Sequence, residues 1–255
     1  MVRYKLYRSA VVCAGGPVGE ALTRQLLLSP LCSEVLACGK IDRREFESLN
    51  VRKKLRYLAE ATSGEVDSGG AAARTGAVAG EQAAQPDGLA GVEAAFCVLG
   101  GGRWAEPPDM TRAKQFAELC KVASVPHVTL LSTCWADTAS KIESAKRHGE
   151  VAELFVSCGF DRLSIFRPSL VLLGRAAAGG LGGQGAPQGA ALLERAYSVA
   201  FPIVRQFMPS AFREVGIDDL VLAMRLNAEL CDTAEKVERL DFVDIMKIIG
   251  KEDTV

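Results

Sequence analysis

The sequence predicts an α/β fold, a doubly wound parallel sheet, and three observations carry that prediction. Short apolar runs alternate with amphipathic stretches at the spacing of repeated strand–helix units. The first apolar run breaks into Ala14-Gly15-Gly16-Pro17-Val18-Gly19 and passes at once into a helical pattern. At 255 residues and 49% hydrophobic content, the chain can bury one full-sized core, so a single domain over 1–255 is expected.

Ser9 to Cys13 reads as the first strand and Val18 to Leu28 as the helix after the glycine turn. Pro17 suits the first helical turn, where its missing amide hydrogen costs nothing. Glu34 to Cys38 reads as a second strand ending at Gly39-Lys40, and the amphipathic segment Val51 to Glu60 reads as a helix. Ala94 to Leu99 is an apolar strand running into Gly100-Gly101-Gly102. Asp109 then caps a helix reaching Val122, with Phe116, Leu119 and Cys120 on one face. His127 to Ser132 is the next strand and Lys141 to Cys158 holds a helix. Leu163 to Leu173 reads as a strand interrupted by Arg167-Pro168, and Ile217 to Cys231 and Phe242 to Ile249 as C-terminal helices. The Gly- and Ala-rich stretches 68–85 and 176–190 lack a period and read as flexible insertions.

Bulk properties exclude several functions. Net charge is −1, which gives no electrostatic footprint for nucleic acid. No apolar stretch reaches the roughly 18–20 residues of a membrane span. The eight cysteines are scattered without a CxxC pair, so neither a metal site nor a disulfide framework is expected. Buried free thiols suit a reducing compartment, and the cytoplasm is expected. The mitochondrion is the alternative, because Arg3, Lys5 and Arg8 stand without an acid in the first nineteen residues. A first strand starting near Ala10 leaves little room for a cleaved address.

Strand, glycine turn and helix in that order form the phosphate-binding unit of a Rossmann fold. The helix N-terminus concentrates unpaired amide hydrogens and partial positive charge, and glycine lets the backbone approach a pyrophosphate. Gly16 and Gly19 hold the second and third places of a G-x-x-G-x-x-G pattern, and Cys13 holds the first. A plain tight turn is the competing reading. The end of the second strand reads the adenosine ribose, and Lys40, with Arg43 and Arg44 beyond, favours a 2′-phosphate. NADP is therefore the expected cofactor, with NAD as the alternative, since Asp42 stands among these bases.

The segment Asp161-Arg162-Leu163-Ser164-Ile165-Phe166-Arg167-Pro168 is more specific. Together with the glycine turn, Phe96-Cys97-Val98-Leu99-Gly100, Val128-Thr129-Leu130-Leu131-Ser132 and the step His148-Gly149-Glu150-Val151, it resembles the Tat-interacting-protein family of atypical short-chain dehydrogenases. These are NADPH-binding, NmrA-like Rossmann proteins, and the resemblance covers most of the chain. It implies cofactor contacts at Gly15, Gly16, Pro17 and Val18 around the pyrophosphate and at Lys40 on the 2′-phosphate. It also implies that Leu99 and Gly100 line the adenosine and ribose side, and that the backbone around Pro168 and Val171 borders the nicotinamide.

The resemblance also exposes a departure. The family carries Tyr-x-x-x-Lys on the helix after the fifth strand, where tyrosine exchanges the substrate proton and lysine lowers its pKa. Those places here read Ser144 and His148, and no tyrosine occurs between Tyr57 and Tyr197. Ser132, with Thr133 beside it, keeps the place of the substrate-orienting hydroxyl. Ser144 and His148 stand one turn apart and are candidates for a substitute pair, against a surface serine and a capping histidine as the plainer account. Cys134 is a candidate thiolate or an inert rim residue, and His127 reads as structural. Trp104 and Trp135 fall on loops at the carboxyl ends of strands, where they can close over a ligand or partner. The terminal Glu252-Asp253-Thr254-Val255 weakly resembles a carboxylate-recognition ligand.

The sequence leads to an NAD(P)-binding Rossmann protein without standard reductase chemistry, a pseudoenzyme acting as a cofactor-responsive scaffold with a protein partner. One alternative is an NADPH-dependent oxidoreductase of the atypical short-chain type. The other is a structural protein whose dinucleotide pocket stays empty.

Overall fold

The computed structural model describes residues 7–13, 16–39, 46, 54–58, 89–99, 107–172, 213–233 and 235–251. Both stretches expected to be insertions, 68–85 and 176–190, lie outside them. The chain runs β1 (Tyr7–Cys13), α1 (Pro17–Leu28), β2 (Cys32–Gly39), β3 (Leu55–Leu58) and β4 (Ala94–Val98). It continues through α2 (Met110–Val122), β5 (His127–Leu131), α3 (Glu143–Cys158), β6 (Arg162–Phe166) and β7 (Leu170–Leu172). It closes with β8 (Glu214–Gly216), α4 (Ile217–Leu230), β9 (Val237–Leu240) and α5 (Phe242–Ile248).

Seven strands form one sheet in the order β3-β2-β1-β4-β5-β6-β9, and every neighbouring pair is parallel. The 3-2-1-4-5-6 order is that of the doubly wound Rossmann fold, extended here by one edge strand. Parallel strands covered by helices on both faces need apolar side chains on both, and the strands supply them. Leu130, Ile165 and Ala95 enter a core layer with Phe116, Val151 and Phe155 of α2 and α3. Their chain neighbours Leu131, Phe166 and Phe96 enter the opposite layer with Leu22, Leu26, Leu220 and Met224 of α1 and α4. Fully burying a side chain of this size contributes about 1.5–3 kcal/mol.

Local chemistry sets the helix ends. The Asp109 carboxylate accepts from the amides of Thr111 at 2.9 Å and Arg112 at 3.1 Å, capping α2 as expected. Gly159 takes a left-handed conformation, φ 70°, and stops α3. Asp241 and Asp244 form a reciprocal capping box that starts α5.

Four expectations change. β1 begins at Tyr7, before Ser9, because the amide of Tyr7 already bonds to the Leu31 carbonyl at 3.0 Å. The expected helix over 51–60 holds β3 instead: Leu55 and Tyr57 pack on the core while Arg56 turns outward to Glu34, a two-residue alternation. The strand expected over 163–173 divides at Arg167-Pro168, and β7 leaves the main sheet to pair with β8. β9 carries no strand signal in the sequence and forms the edge strand beside β6.

Two buried polar clusters brace the sheet toward the amino ends of its strands. His127 Nε2 lies 2.7 Å from Ser164 Oγ, and the Ser164 hydroxyl donates to Glu238 Oε1. The same oxygen accepts from Arg162 Nη2 at 2.9 Å and Asn227 Nδ2 at 3.2 Å. In the second cluster Glu229 of α4 accepts from Tyr7 at 2.9 Å and from the Ser29 hydroxyl, tying α4 to the start of β1. Burial raises the Tyr7 phenol far above its ordinary pKa, so it donates as a neutral group.

Candidate functional site

β1 has β2 on one side and β4 on the other, so the chain reverses its direction across the sheet there. Open α/β sheets bind ligands in the crevice outside the carboxyl ends of such a pair. Gly16 sits at that point as the N-cap of α1, with φ 128° and ψ 165°. Only glycine holds that conformation without strain. Pro17 follows at the first helical position, and the first intrahelical bond runs from the Glu20 amide to the Gly16 carbonyl at 3.2 Å. The amides of Val18 and Gly19 therefore have no partner within the helix and are donors at its positive end. Both residues are buried.

Of the other residues expected around a dinucleotide, Leu99 is buried directly after β4, Pro168 is buried after β6, and Val171 is partly buried in β7. Gly15, Lys40 and Gly100 lie outside the described residues, as do Trp104 and the terminal 252–255.

The loop after β5 forms the second half of the site. Its ladder continues past Leu131, because the Ser132 amide bonds to Phe166 O at 2.8 Å and the Cys134 amide to Pro168 O at 3.1 Å. Leu131 and Phe166 are register partners in the α1/α4 layer, so strand alternation places Ser132 and Arg167 on the α2/α3 side. Ser132 is 7% exposed and its hydroxyl has no hydrogen-bond partner among the described residues. Arg167 reaches over the loop, donating from Nη2 to Cys134 O at 3.0 Å and from Nε to Thr133 O at 3.5 Å.

Hydrogen bonds and close packing hold the rest of the loop. The Asp137 amide bonds to Ala145 O at 3.1 Å, Asp137 Oδ1 accepts from the Ala139 amide at 2.9 Å, and Ser140 Oγ from the Ile142 amide at 3.2 Å. Gly149 of α3 lies so close beneath that a Cβ there would meet the Thr138 amide nitrogen at 2.5 Å. Trp135 is carried on this platform and is 52% exposed.

His148 and Ser144 both lie on α3, but no hydrogen bond joins them among the described residues. His148 is buried in the middle of α3, so it is not the capping residue its position in the sequence suggests. It shares the stripe of Val151, which packs toward the sheet, and burial lowers its pKa to about 4. A neutral imidazole cannot supply the positive charge that a lysine would bring. Ser144 is partly buried on the preceding turn. Cys134 is a thiol rather than a thiolate, since burial raises its pKa against the opposing pull of Arg167. His127 is buried in the cluster with Ser164 and Glu238, away from this edge. Among the described residues the cysteines are free, and no group of three His, Cys, Asp or Glu side chains could hold a metal. No helix among them is long and apolar enough to cross a membrane.

Sequence reasoning missed the clasp of Arg167 on the β5 loop. The residues are more than thirty apart, and only the pairing of β5 with β6 brings them together.

No protein-family profile matches the chain. Solved structures do resemble it. The enzyme WbmH of Bordetella bronchiseptica in complex with NAD+ is 11% identical with a TM-score of 0.56, over 93% of this chain and 75% of that one. The Citrobacter triphenylmethane reductase complexed with NADP(H) is 13% identical with a TM-score of 0.53, over 92% and 69%. MoeE5 in complex with UDP-glucose and NAD is 15% identical with a TM-score of 0.51, over 91% and 75%. At these identities the likeness establishes the fold, and the class it defines is the Rossmann proteins.

Proposed function

We propose that this protein binds a nicotinamide dinucleotide, with NADP preferred, and acts as a cofactor-responsive scaffold that lacks tyrosine–lysine reductase chemistry. The observation that carries this reading is Gly16, held at φ 128° on the N-terminus of α1 beside the β1/β4 reversal. The free amides of Val18 and Gly19 fit a pyrophosphate, and the buried, unpartnered Ser132 hydroxyl fits a polar group arriving over β5. Gly15 and Gly16 would meet the phosphates, Pro17 and Val18 would flank them, and Gly19 would let α1 pack close to the sheet. Lys40 would hold the 2′-phosphate, Leu99 and Gly100 the adenosine side, and Pro168 and Val171 the nicotinamide side. The resembling structures named above were solved with NAD or NADP(H), which supports the assignment.

The scaffold half of the proposal rests on the α3 helix. Ser144 is too weak an acid to replace tyrosine unaided, and His148 is neutral and buried where lysine would stand. A protein partner that senses cofactor occupancy completes this reading, and the free thiols suit the cytoplasm.

The competing reading is an NADPH-dependent oxidoreductase of the atypical short-chain type, favoured by the orphaned Ser132 hydroxyl. The bound dinucleotide would supply the hydride there, while Ser132 orients the substrate and His148 or the substrate itself manages the proton.

The test is a thermal-shift titration with NADPH, NADP+, NADH and NAD+, repeated on Gly16→Glu. Ligand at about one hundred times its Kd stabilises by roughly 2.7 kcal/mol. NADPH is expected to shift the wild type most and to leave the variant unmoved. Absence of a shift with every nucleotide rejects the proposal in favour of an empty pocket. Carbonyl-dependent loss of nicotinamide absorbance that falls in Ser132→Ala establishes the oxidoreductase instead.

A further inference from the structure

Arg167 is a partly buried cation that meets no carboxylate among the described residues. Its two hydrogen bonds go to the carbonyls of Thr133 and Cys134 through Nε and Nη2. A guanidinium carries five N–H donors in a planar fork, so Nη1 and half of Nη2 remain for another acceptor. Two other partly buried arginines are neutralised: Arg162 by Glu238 at 2.9 Å, and Arg8 by Glu34 at 2.6 Å.

Ser132 is the independent second observation. Its hydroxyl is buried and unsatisfied, and it stands beside Arg167 on the same side of the sheet, one register step past the Leu131–Phe166 pair. A buried hydroxyl left without a partner is destabilising unless a ligand or solvent meets it. The two groups call for the same occupant, an acceptor with at least two oxygens in one plane, which is the geometry of a carboxylate. Trp135, three residues after Ser132 on the same loop and half exposed, adds a large apolar face at the same edge. Asp137 stays engaged with its own loop amide and does not neutralise the guanidinium.

We infer that Arg167, Ser132 and Trp135 form a subsite for a planar aromatic carboxylate, with the carboxylate on the Arg167 fork and the Ser132 hydroxyl and the ring against Trp135. The inference deepens the dinucleotide reading by giving the chemical class of the second ligand, and rests on it only for calling this edge the ligand side.

The experiment titrates the protein, alone and saturated with NADPH, with benzoate, benzamide, acetate and inorganic phosphate. Thermal shift and tryptophan fluorescence report binding. Benzoate is expected to bind at least tenfold more tightly than each of the other three. Arg167→Gln is expected to weaken benzoate at least tenfold while leaving the weak benzamide affinity in place. Arg167→Lys, which keeps the charge and loses the fork, recovers only part of that loss.

Equal binding of benzoate and benzamide overturns the inference, and so does phosphate binding as tightly as benzoate. If Arg167→Gln does not fold, Ser132→Ala decides. Benzoate weakened about threefold or more with folding intact supports the subsite, and unchanged benzoate binding overturns it. Benzoate binding without any nucleotide shift would reject the dinucleotide reading and keep this one. A nucleotide shift without benzoate binding would do the reverse.

Discussion

His127 Nε2 and Ser164 Oγ stand 2.7 Å apart, and the direction of that bond is determined by the next one. Ser164 has a single proton and gives it to Glu238, so its oxygen must accept from His127. The imidazole is thereby fixed as the Nε2–H tautomer, and burial with Arg162 nearby lowers its pKa to about 3.

That depression makes stability depend on pH, and His148 adds to it with its pKa lowered to about 4. Below the ordinary histidine pKa of about 6.5, the unfolded chain takes up protons that the folded chain refuses. Stability is therefore complete above about pH 6.5 and falls as pH drops toward 4, each histidine adding about 1.4 kcal/mol per unit to the slope. Urea denaturation across pH 4–7 should show that decline, and His148→Gln should reduce its slope by about 1.4 kcal/mol per unit. An unchanged slope would mean that His148 accepts a proton in the folded state.

Glu238 receives donors from Arg162, Ser164 and Asn227, with its side chain only 12% exposed. Glu238→Gln removes the charge that balances Arg162 and turns an amide toward groups that are themselves donors. Removing one member of such a pair costs about 3–5 kcal/mol. The loss should appear in the denaturation midpoint, while affinity for the nucleotide proposed to bind at the other end of the sheet should stay within about twofold. A large fall in nucleotide affinity without a loss of stability would contradict this placement.

Gly149 is required by proximity rather than by backbone conformation. A Cβ would lie 2.5 Å from the Thr138 nitrogen and 2.7 Å from the Asp137 carbonyl carbon, both backbone atoms that cannot swing aside. Gly149→Ala should therefore lift the 136–140 loop from α3 and cost about 1–3 kcal/mol. Hydrogen exchange should report faster exchange at Asp137, whose amide bonds to Ala145 O at 3.1 Å. Protection equal to that of the wild type would show that the loop has another anchor.

The parts of this fold that could be read from sequence are those in which each residue's role is local. Gly16-Pro17 announces the turn because glycine supplies the φ and proline starts the helix, and Asp109 announces α2 because its carboxylate caps amides two and three residues on. Val51, Leu55 and Leu58 recur at helical spacing, which is why the sequence points to a helix where β3 stands. The competing alternation of Leu55, Arg56 and Tyr57 spans too few residues to outweigh it. β9 went unseen because Glu238 and Arg239 look solvated in sequence, whereas Glu238 is drawn inward by Arg162, seventy-six positions away.

The site divides in the same way. The sequence placed Ser132 at the end of a strand and Gly16 at the start of a helix, each in its own neighbourhood. The burial of His148 was not legible, since a lone histidine on an amphipathic helix carries no mark of which side it takes. Nor was the reach of Arg167 to Cys134, which exists only once β5 and β6 are side by side.

The brace of His127, Ser164, Glu238, Arg162 and Asn227 gathers β5, β6, β9 and α4 at one end of the sheet and touches none of the residues at the other. A molecule anchored in that way can exchange the side chains over its carboxyl edge without unseating the strands beneath them. The cost of a change at that edge therefore stays local, because the bonds that tie the strands to one another lie at the opposite end.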